Sequence, residues 1–202
     1  MTAECLDSVS NTTNDQPEEI IIVDDGSPIY GTFVDDTDYV QQFITLHRET
    51  NGGYAAAVNM GLFHATGDVL ILGNNDLVFP EGWLEELLSV LDSGYDIATC
   101  WTSDQDDIVM GDHIEEDAKF GALFAMRREV YETIGPFDEQ FKGYFSDTDY
   151  RRRALDAGFT IGKTYNLVVH HHAKATYTLT DPDDKEFIRS ARLYEIKWGY
   201  QE

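Results

Sequence analysis

Basic residues are scarce in this chain of 202 residues: 14 lysines and arginines stand against 38 aspartates and glutamates, a net charge of −24 at neutral pH. Only six of the 14 are lysine, and Asp outnumbers Glu by 23 to 15. A field of that sign repels phosphate backbones and anionic lipid, which argues against nucleic acid and acidic membrane surfaces as partners. An anionic small ligand needs local neutralisation here, and a divalent cation is the candidate that supplies it. Cysteine is scarcer still. Cys5 and Cys100 make neither a disulfide framework nor a zinc-ligand spacing, so the expected setting is reducing and cytoplasmic. No apolar run reaches the roughly 18 residues of a transmembrane segment, and no signal-peptide pattern follows Met1. Internal repeats and low-complexity linkers are lacking too.

What is present is a core-forming composition, 42% hydrophobic and 12% aromatic, on a length suited to one domain. Apolar runs at 19–23, 43–47, 68–72, 96–101, 121–126 and 161–171 alternate with helical patterns. The helical patterns cover 3–12, 53–64, 81–91, 128–134 and 147–157, with a last helix from 183 to about 198 opened by Asp181 and Pro182. Strands alternating with helices predict an α/β fold with a mostly parallel sheet. The economical division is one domain over 1–180 and a C-terminal helical extension over 181–202. Trp83, Leu84, Leu87, Leu88 and Leu91 form a helical stripe that belongs in the core.

Polar clusters punctuate the strand ends, and ligands of open α/β sheets bind beyond the carboxyl ends of strands. Asp24 and Asp25 lead into Gly26-Ser27; they could receive hydrogen bonds from a ligand or simply make an Asx-turn. Asn74-Asn75-Asp76 follows a strand apolar on both faces. A carboxylate among amide oxygens suits a hard cation that also takes phosphate oxygens, though Asn and Asp also merely end strands. Asp147 and Asp149 open a helix, where either could cap it and one could serve as a general base. His170, His171 and His172 end the last strand. Alternation sends His170 and His172 to one face, from which they could join Asp76 around a manganese-type ion. Gly52-Gly53 before a small-residue helix permits an anion site at the helix start.

Taken in order, these segments resemble family 2 glycosyltransferases of the GT-A fold. Residues 19–27 (Glu-Ile-Ile-Ile-Val-Asp-Asp-Gly-Ser) are similar to the family's second strand with its nucleotide-binding acids. Residues 51–61 (Asn-Gly-Gly-Tyr-Ala-Ala-Ala-Val-Asn-Met-Gly) resemble its Gly-rich helix start, and 67–76 the strand carrying its Asp-any-Asp motif. The stretch from Gly121 through Gly135-Pro136-Phe137-Asp138 to Asp147-Thr148-Asp149 is similar to the acceptor side with its catalytic acid. The resemblance implies an inverting, metal-dependent transfer from a nucleotide sugar, a UDP-sugar of glucose type first, to a glycan or glycolipid acceptor. It implies Mn²⁺ or Mg²⁺ as cofactor, with Asp76, His170 and His172 at the metal. Donor contacts would come from Asp24, Asp25, Asn51, Gly52, Asn59, Asn74 and Asn75, and Asp147 would be the base.

The sequence also departs from the pattern. The family's first strand, with its Pro-Thr-Tyr-Asn-like end, has no counterpart before the first helix, which leaves the edge of 20–23 open to a homodimer or a local rearrangement. Val58 stands where many relatives carry Arg, Asn74 replaces the first Asp of the metal motif, and Ser146 replaces an acid. A silent sugar-nucleotide or glycan-binding module of the same fold is the alternative. A structural domain with a Ca²⁺- or Mg²⁺-binding rim is a third. Asp76 and Asp147 together favour the enzyme, because binding alone has no need of Asp147.

Overall fold

Successive strand residues point to opposite faces, and in this chain both faces are apolar. The computed structural model describes residues 2–11, 17–27, 43–172 and 184–199. In chain order the elements begin with α1 (Thr2–Asn11), β1 (Ile20–Asp24), β2 (Phe43–His47) and α2 (Tyr54–His64). There follow β3 (Val69–Gly73), β4 (Leu77–Val78), α3 (Trp83–Asp92), β5 (Ile97–Thr102) and β6 (Ile114–Glu116). The rest are β7 (Leu123–Arg127), α4 (Arg128–Ile134), α5 (Ser146–Asp156), β8 (Ile161–His171) and α6 (Lys185–Trp198). Every element expected from periodicity is present, with ends shifted by two residues at most. Thr12, the helix-opening Asp181 and Pro182, and Asp183, where the last helix was expected to begin, lie outside the described residues. β4 and β6 were not expected, since strands so short carry no periodicity.

The main sheet runs β3-β7-β5-β8-β4, with β6 also paired to β8. β5 and β8 are parallel, but β3–β7, β5–β7, β4–β8 and β6–β8 are antiparallel. The fold is α/β as expected; the sheet is mixed rather than mostly parallel. The reason is the connection from β5 to β7, which carries β6 and no helix, so no crossover forces β7 into a parallel course. β1 and β2 make a separate parallel pair. Among the described residues β1 has no second strand neighbour, and β3 ends the larger sheet. The Glu19 carboxylate nevertheless ties the start of β1 to the approach of β3, accepting from the Thr66 and Gly67 backbone N–H groups.

Leu123 and Ala125 of β7 pack with Ala98 and Cys100 of β5 and with Trp83, Leu84, Leu87, Val90 and Leu91 of α3. Phe124 and Met126 point the other way, joining Leu70, Leu72, Ile97, Ala55 and Leu62 of α2, and Tyr150 and Ala154 of α5. A helix therefore covers each face, and a one-residue slip in register would exchange the two layers. Each large apolar side chain so buried contributes about 1.5–3 kcal/mol. α6 is fastened to this body by aromatic contacts of Phe187 and Tyr194 with Phe145.

Candidate functional site

Asn74-Asn75-Asp76 leaves β3 and turns at once into β4, whose Leu77 and Val78 pair with His171 and His170. That register, with the His172 N–H donating to the Asp76 carbonyl at 3.1 Å, brings the strand-end carboxylate to the end of β8. His171 is the histidine beside it: Nε2 lies 3.2 Å from Asp76 Oδ1. His170 and His172 do share the opposite face, their rings 4.7 Å apart, as alternation requires. Their ring nitrogens have other partners. His170 Nδ1 meets Ser103 Oγ at 3.0 Å and His172 Nε2 meets Glu4 Oε2 at 3.3 Å. The His171 contact arises from tertiary docking of the turn on the end of β8, which the strand pattern alone does not contain.

Asp76 Oδ1 is enclosed and lacks a well-aligned hydrogen bond. Pairing with His171 holds this carboxyl below the usual carboxylate range, against the opposing effect of burial. The same pairing raises His171 above the ordinary imidazole value, burial again opposing and Asp104 adding to the rise. Among the described residues no group of three or more His, Cys, Asp and Glu side chains stands ready to hold a metal. Mg²⁺-like ions, however, commonly take one or two protein donors and complete their shell with substrate phosphate and water. An enclosed carboxylate oxygen facing an imidazole fits that kind of site. Asn75 spends its amide on Thr2 Oγ1 at 2.8 Å, and the Asn74 backbone carbonyl faces Cys5 Sγ at 3.8 Å, so α1 covers this turn.

The second cluster stands at the ends of β1 and β2. Asp24 Oδ2 lies 2.8 Å from His47 Nδ1, and Asp24 Oδ1 accepts the Ser27 N–H at 3.2 Å. Burial works against ionisation of Asp24, but hydrogen bonds from Ser27 and His47 outweigh it and keep the carboxyl below its ordinary value. Asp25 accepts the Gly52 and Gly53 N–H groups at 2.9 and 2.7 Å and pairs with Arg48 Nε at 2.8 Å. The anion at the start of α2 is thus the protein's own Asp25. A Gly52 N–H offered to a donor phosphate is not what the geometry provides. Gly26 and Gly53 make the clasp possible: both have positive φ, 76° and 88°, and a Cβ on Gly26 would lie 2.6 Å from the Asn51 nitrogen. Asn51 itself is exposed. Asn59 is committed elsewhere, exchanging hydrogen bonds of 2.9 and 2.8 Å with the Phe137 backbone.

The third cluster opens α5. The Tyr54 N–H of α2 donates to the Lys142 carbonyl at 2.6 Å, so the Asp25 clasp abuts the approach to Asp147. Phe145 precedes the helix in a left-handed conformation, φ 66°, which is strained for an aromatic residue and is braced by α6. Asp147 and Asp149 diverge as helical geometry demands. Asp149 is fully enclosed, bonded to Arg153 Nε at 3.0 Å and Trp198 Nε1 at 2.9 Å. Asp147 is half-buried and has no cationic partner among the described residues; burial raises its carboxyl above the ordinary value. A carboxylate without a counter-ion and poised to take a proton is what general-base chemistry requires.

Sequence reasoning singled out Asp24, Asp25, Asp76 and Asp147, but it missed His171 as the partner of Asp76. It also missed His47, Arg48 and Asp104, which belong to no motif and are found only through tertiary pairing.

Comparison with known proteins adds a family and a fold. The family described as Glycosyl transferase family 2 matches residues 1–149. Glycosyltransferase GlyG of Streptococcus pneumoniae serotype 4 is 35% identical over 86 residues, 42% of this chain and 28% of its own. A PGL/p-HBAD biosynthesis glycosyltransferase of Mycobacterium tuberculosis is 24% identical over 212 residues, 92% of this chain and 76% of its own. The mannosyltransferase PcManGT from Pyrobaculum calidifontis, solved with GDP-Man and Mn²⁺, superposes with a TM-score of 0.68 at 18% identity, over 98% of this chain and 61% of that one. S. aureus TarS 1-349 in complex with UDP-GlcNAc gives 0.69 at 15% identity, over 97% and 62%. At such identities the likeness carries the GT-A fold alone. The chain spans less than a third of the pneumococcal relative and under two thirds of these solved chains.

Proposed function

Because the chain belongs to glycosyl transferase family 2, we propose that it transfers a sugar, with inversion, from a UDP-sugar of glucose type to a glycan or glycolipid hydroxyl. The observation that carries this reading is the enclosed Asp76 oxygen facing His171 at 3.2 Å at the end of β3. Asp76 and His171 are the residues that would hold Mn²⁺ or Mg²⁺. When bound, such an ion supplies Lewis-acid neutralisation of the donor diphosphate. Asp24, next to His47, and the exposed Asn51 are the donor contacts this geometry leaves open. Asp25 and Gly52 act by holding the 51–53 segment beside them, and Asn59 by tying α2 to the Phe137 backbone. Asn74 and Asn75 carry the turn that presents Asp76.

Asp147 accepts the proton of the acceptor hydroxyl as its oxygen attacks C1 of the sugar. The bond from C1 to the diphosphate oxygen breaks on the opposite face, with oxocarbenium-like charge at C1 between the two events. The raised proton affinity of Asp147 and the lack of a counter-ion for it among the described residues support this assignment. A cytoplasmic, reducing setting is the reading that goes with two free cysteines; burial pushes the Cys5 and Cys100 thiols up to about 11 and about 12, so neither is a ready nucleophile. No helix among the described residues is long and apolar enough to cross a membrane. Incubation with UDP-sugars and Mn²⁺, reading UDP release with and without candidate glycan acceptors, tests the assignment. No release with any donor, despite measurable UDP binding, would move the chain to the silent-module class.

A further inference from the structure

Asp104 lies just beyond β5, and nothing in its surroundings marks it as part of a motif. It matters through His171, whose imidazole is held at both nitrogens. Nε2 faces Asp76 Oδ1 at 3.2 Å, and Nδ1 lies 2.9 Å from Asp104 Oδ1. An ionised carboxylate only accepts, so each ring nitrogen facing one carries a hydrogen in the absence of metal, and a cation at Nε2 would displace the hydrogen there while the Asp104 contact keeps the one on Nδ1. An imidazole whose Nδ1–H is given to a carboxylate presents the Nε2 lone pair to a Lewis acid in a fixed plane.

We propose that Asp104 is a positioning residue of the donor site, orienting His171 Nε2 so that it and Asp76 together receive the divalent cation that accompanies the sugar-nucleotide diphosphate. The inference rests on the metal reading given above. Three features of the structure support it. Asp104 is itself anchored, its carboxylate hydrogen-bonded to the buried Thr102 side chain. Its neighbour Ser103 locks the strand end: the Ser103 N–H donates to the Val169 carbonyl at 3.0 Å, and Ser103 Oγ accepts the His171 N–H at 3.0 Å. Finally, exposure rises outward along the relay, with His171 and Asp76 at 12% and 13% and Asp104 at 35%. Asp104 meets the imidazole through the nitrogen that does not face Asp76, which is the place of a second carboxylate behind a metal-binding imidazole.

The test is Mn²⁺ affinity, by calorimetry and by the electron paramagnetic resonance of free Mn²⁺, for the full chain with UDP present. Asp104→Ala should weaken Mn²⁺ binding by about 10–100-fold. Asp104→Asn, whose amide oxygen still accepts from Nδ1, should keep most of the affinity. The exposed Asp92→Ala, which removes one charge from the end of α3, should stay within about twofold of wild type, since it touches no part of the relay. Nitrogen-15 spectra of the metal-free wild type should find a proton on His171 Nδ1, and a wild-type Nδ1 without one would overturn the inference with no variant needed. Wild-type Mn²⁺ affinity in Asp104→Ala, with loss in His171→Ala, would overturn the positioning role while leaving the metal reading intact. No Mn²⁺ binding by the wild type, or none lost in His171→Ala, would overturn the metal reading and the role of Asp104 together.

Discussion

Trp198 Nε1 donates to Asp149 Oδ1 at 2.9 Å, so α6 is hydrogen-bonded to the first turn of α5 two residues beyond Asp147. Lys197 Nζ approaches the same oxygen to 2.7 Å, and Arg153 Nε meets the other at 3.0 Å. Lys197 also reaches Asp138 at 2.8 Å. The helix that the sequence suggests as an extension is thus a brace on the segment that presents the candidate base. Asp149 is the anion that holds it.

Asp149→Ala should therefore act on stability. Removing a fully buried carboxylate deprives Arg153 of its only carboxylate among the described residues, leaves Lys197 with Asp138 alone and strips Trp198 of its acceptor, at a cost of roughly 3–5 kcal/mol. At about 2–4 °C per kcal/mol for a chain of this size, the melting temperature should fall by on the order of 10 °C. Scanning calorimetry reads it directly. A melting temperature equal to wild type would show that α6 contributes nothing to the hold on α5.

Asp147→Asn should behave in the opposite way. As the base it should lose transfer by about 10²–10⁴-fold while UDP-sugar affinity stays put. Because burial raises the folded-state value of Asp147, ionising it costs stability. The cost is nil below the ordinary aspartate value, grows as pH climbs through the raised one, and is constant above it. The Asn variant should therefore melt higher than wild type at neutral pH and level with it in acid. The acid limb of kcat/KM in the wild type should sit above the ordinary aspartate value for the same reason. Transfer by Asp147→Asn at the wild-type rate would send the search for the base elsewhere.

Asp76→Ala should abolish the metal-dependent part of UDP binding without unfolding the chain. The motivating contact is the enclosed Oδ1 opposite His171. Calorimetric titration of UDP with Mn²⁺ and with a chelator distinguishes the outcomes. Equal wild-type affinity in both conditions would contradict metal-assisted donor binding.

How much of this was legible beforehand follows physical range. The alternation of Leu70 and Leu72 against Val69 and Ile71 is local, and the two-faced burial of β3 follows from it. Asp76 was visible because a carboxylate at a strand end needs no distant partner to be noticed. His171 was not, because which histidine of 170–172 meets Asp76 depends on how the turn after β3 docks on the end of β8, far away in sequence. Likewise the Gly52-Gly53 start of α2 reads as an anion site, but only tertiary structure reveals that Asp25 already supplies the anion. The direction of β7 was hidden for the same reason: hydrophobic period fixes a strand, not the sense in which it pairs.

The Asp25 clasp yields its own expectation. Asp25→Ala removes the acceptor of two backbone N–H groups and the partner of Arg48, which should cost about 1–3 kcal/mol. The loosened 51–53 segment borders the candidate donor site, so KM for the UDP-sugar should rise more than kcat falls. A variant with lower melting temperature and unchanged KM would make Asp25 purely structural.

The last expectation concerns the gap in the sheet. β1 pairs only with β2 among the described residues, and β3 ends the six-stranded sheet, so each leaves one line of backbone groups without a strand neighbour. Exposed apolar edges of this kind recruit a further strand or a second copy unless charge or a bulge protects them. Here the edge is Ile20-Ile21-Ile22-Val23, with no charge until Asp24. The high net charge opposes self-association at long range, but salt screens it over about 10 Å at 0.1 M. Sedimentation velocity should therefore find a dimer whose population grows with salt. Amide hydrogen exchange in β1 and β3 should slow as protein concentration rises. A monomer at every salt concentration, with β1 amides exchanging at a rate independent of protein concentration, would mean that the gap is closed within one chain.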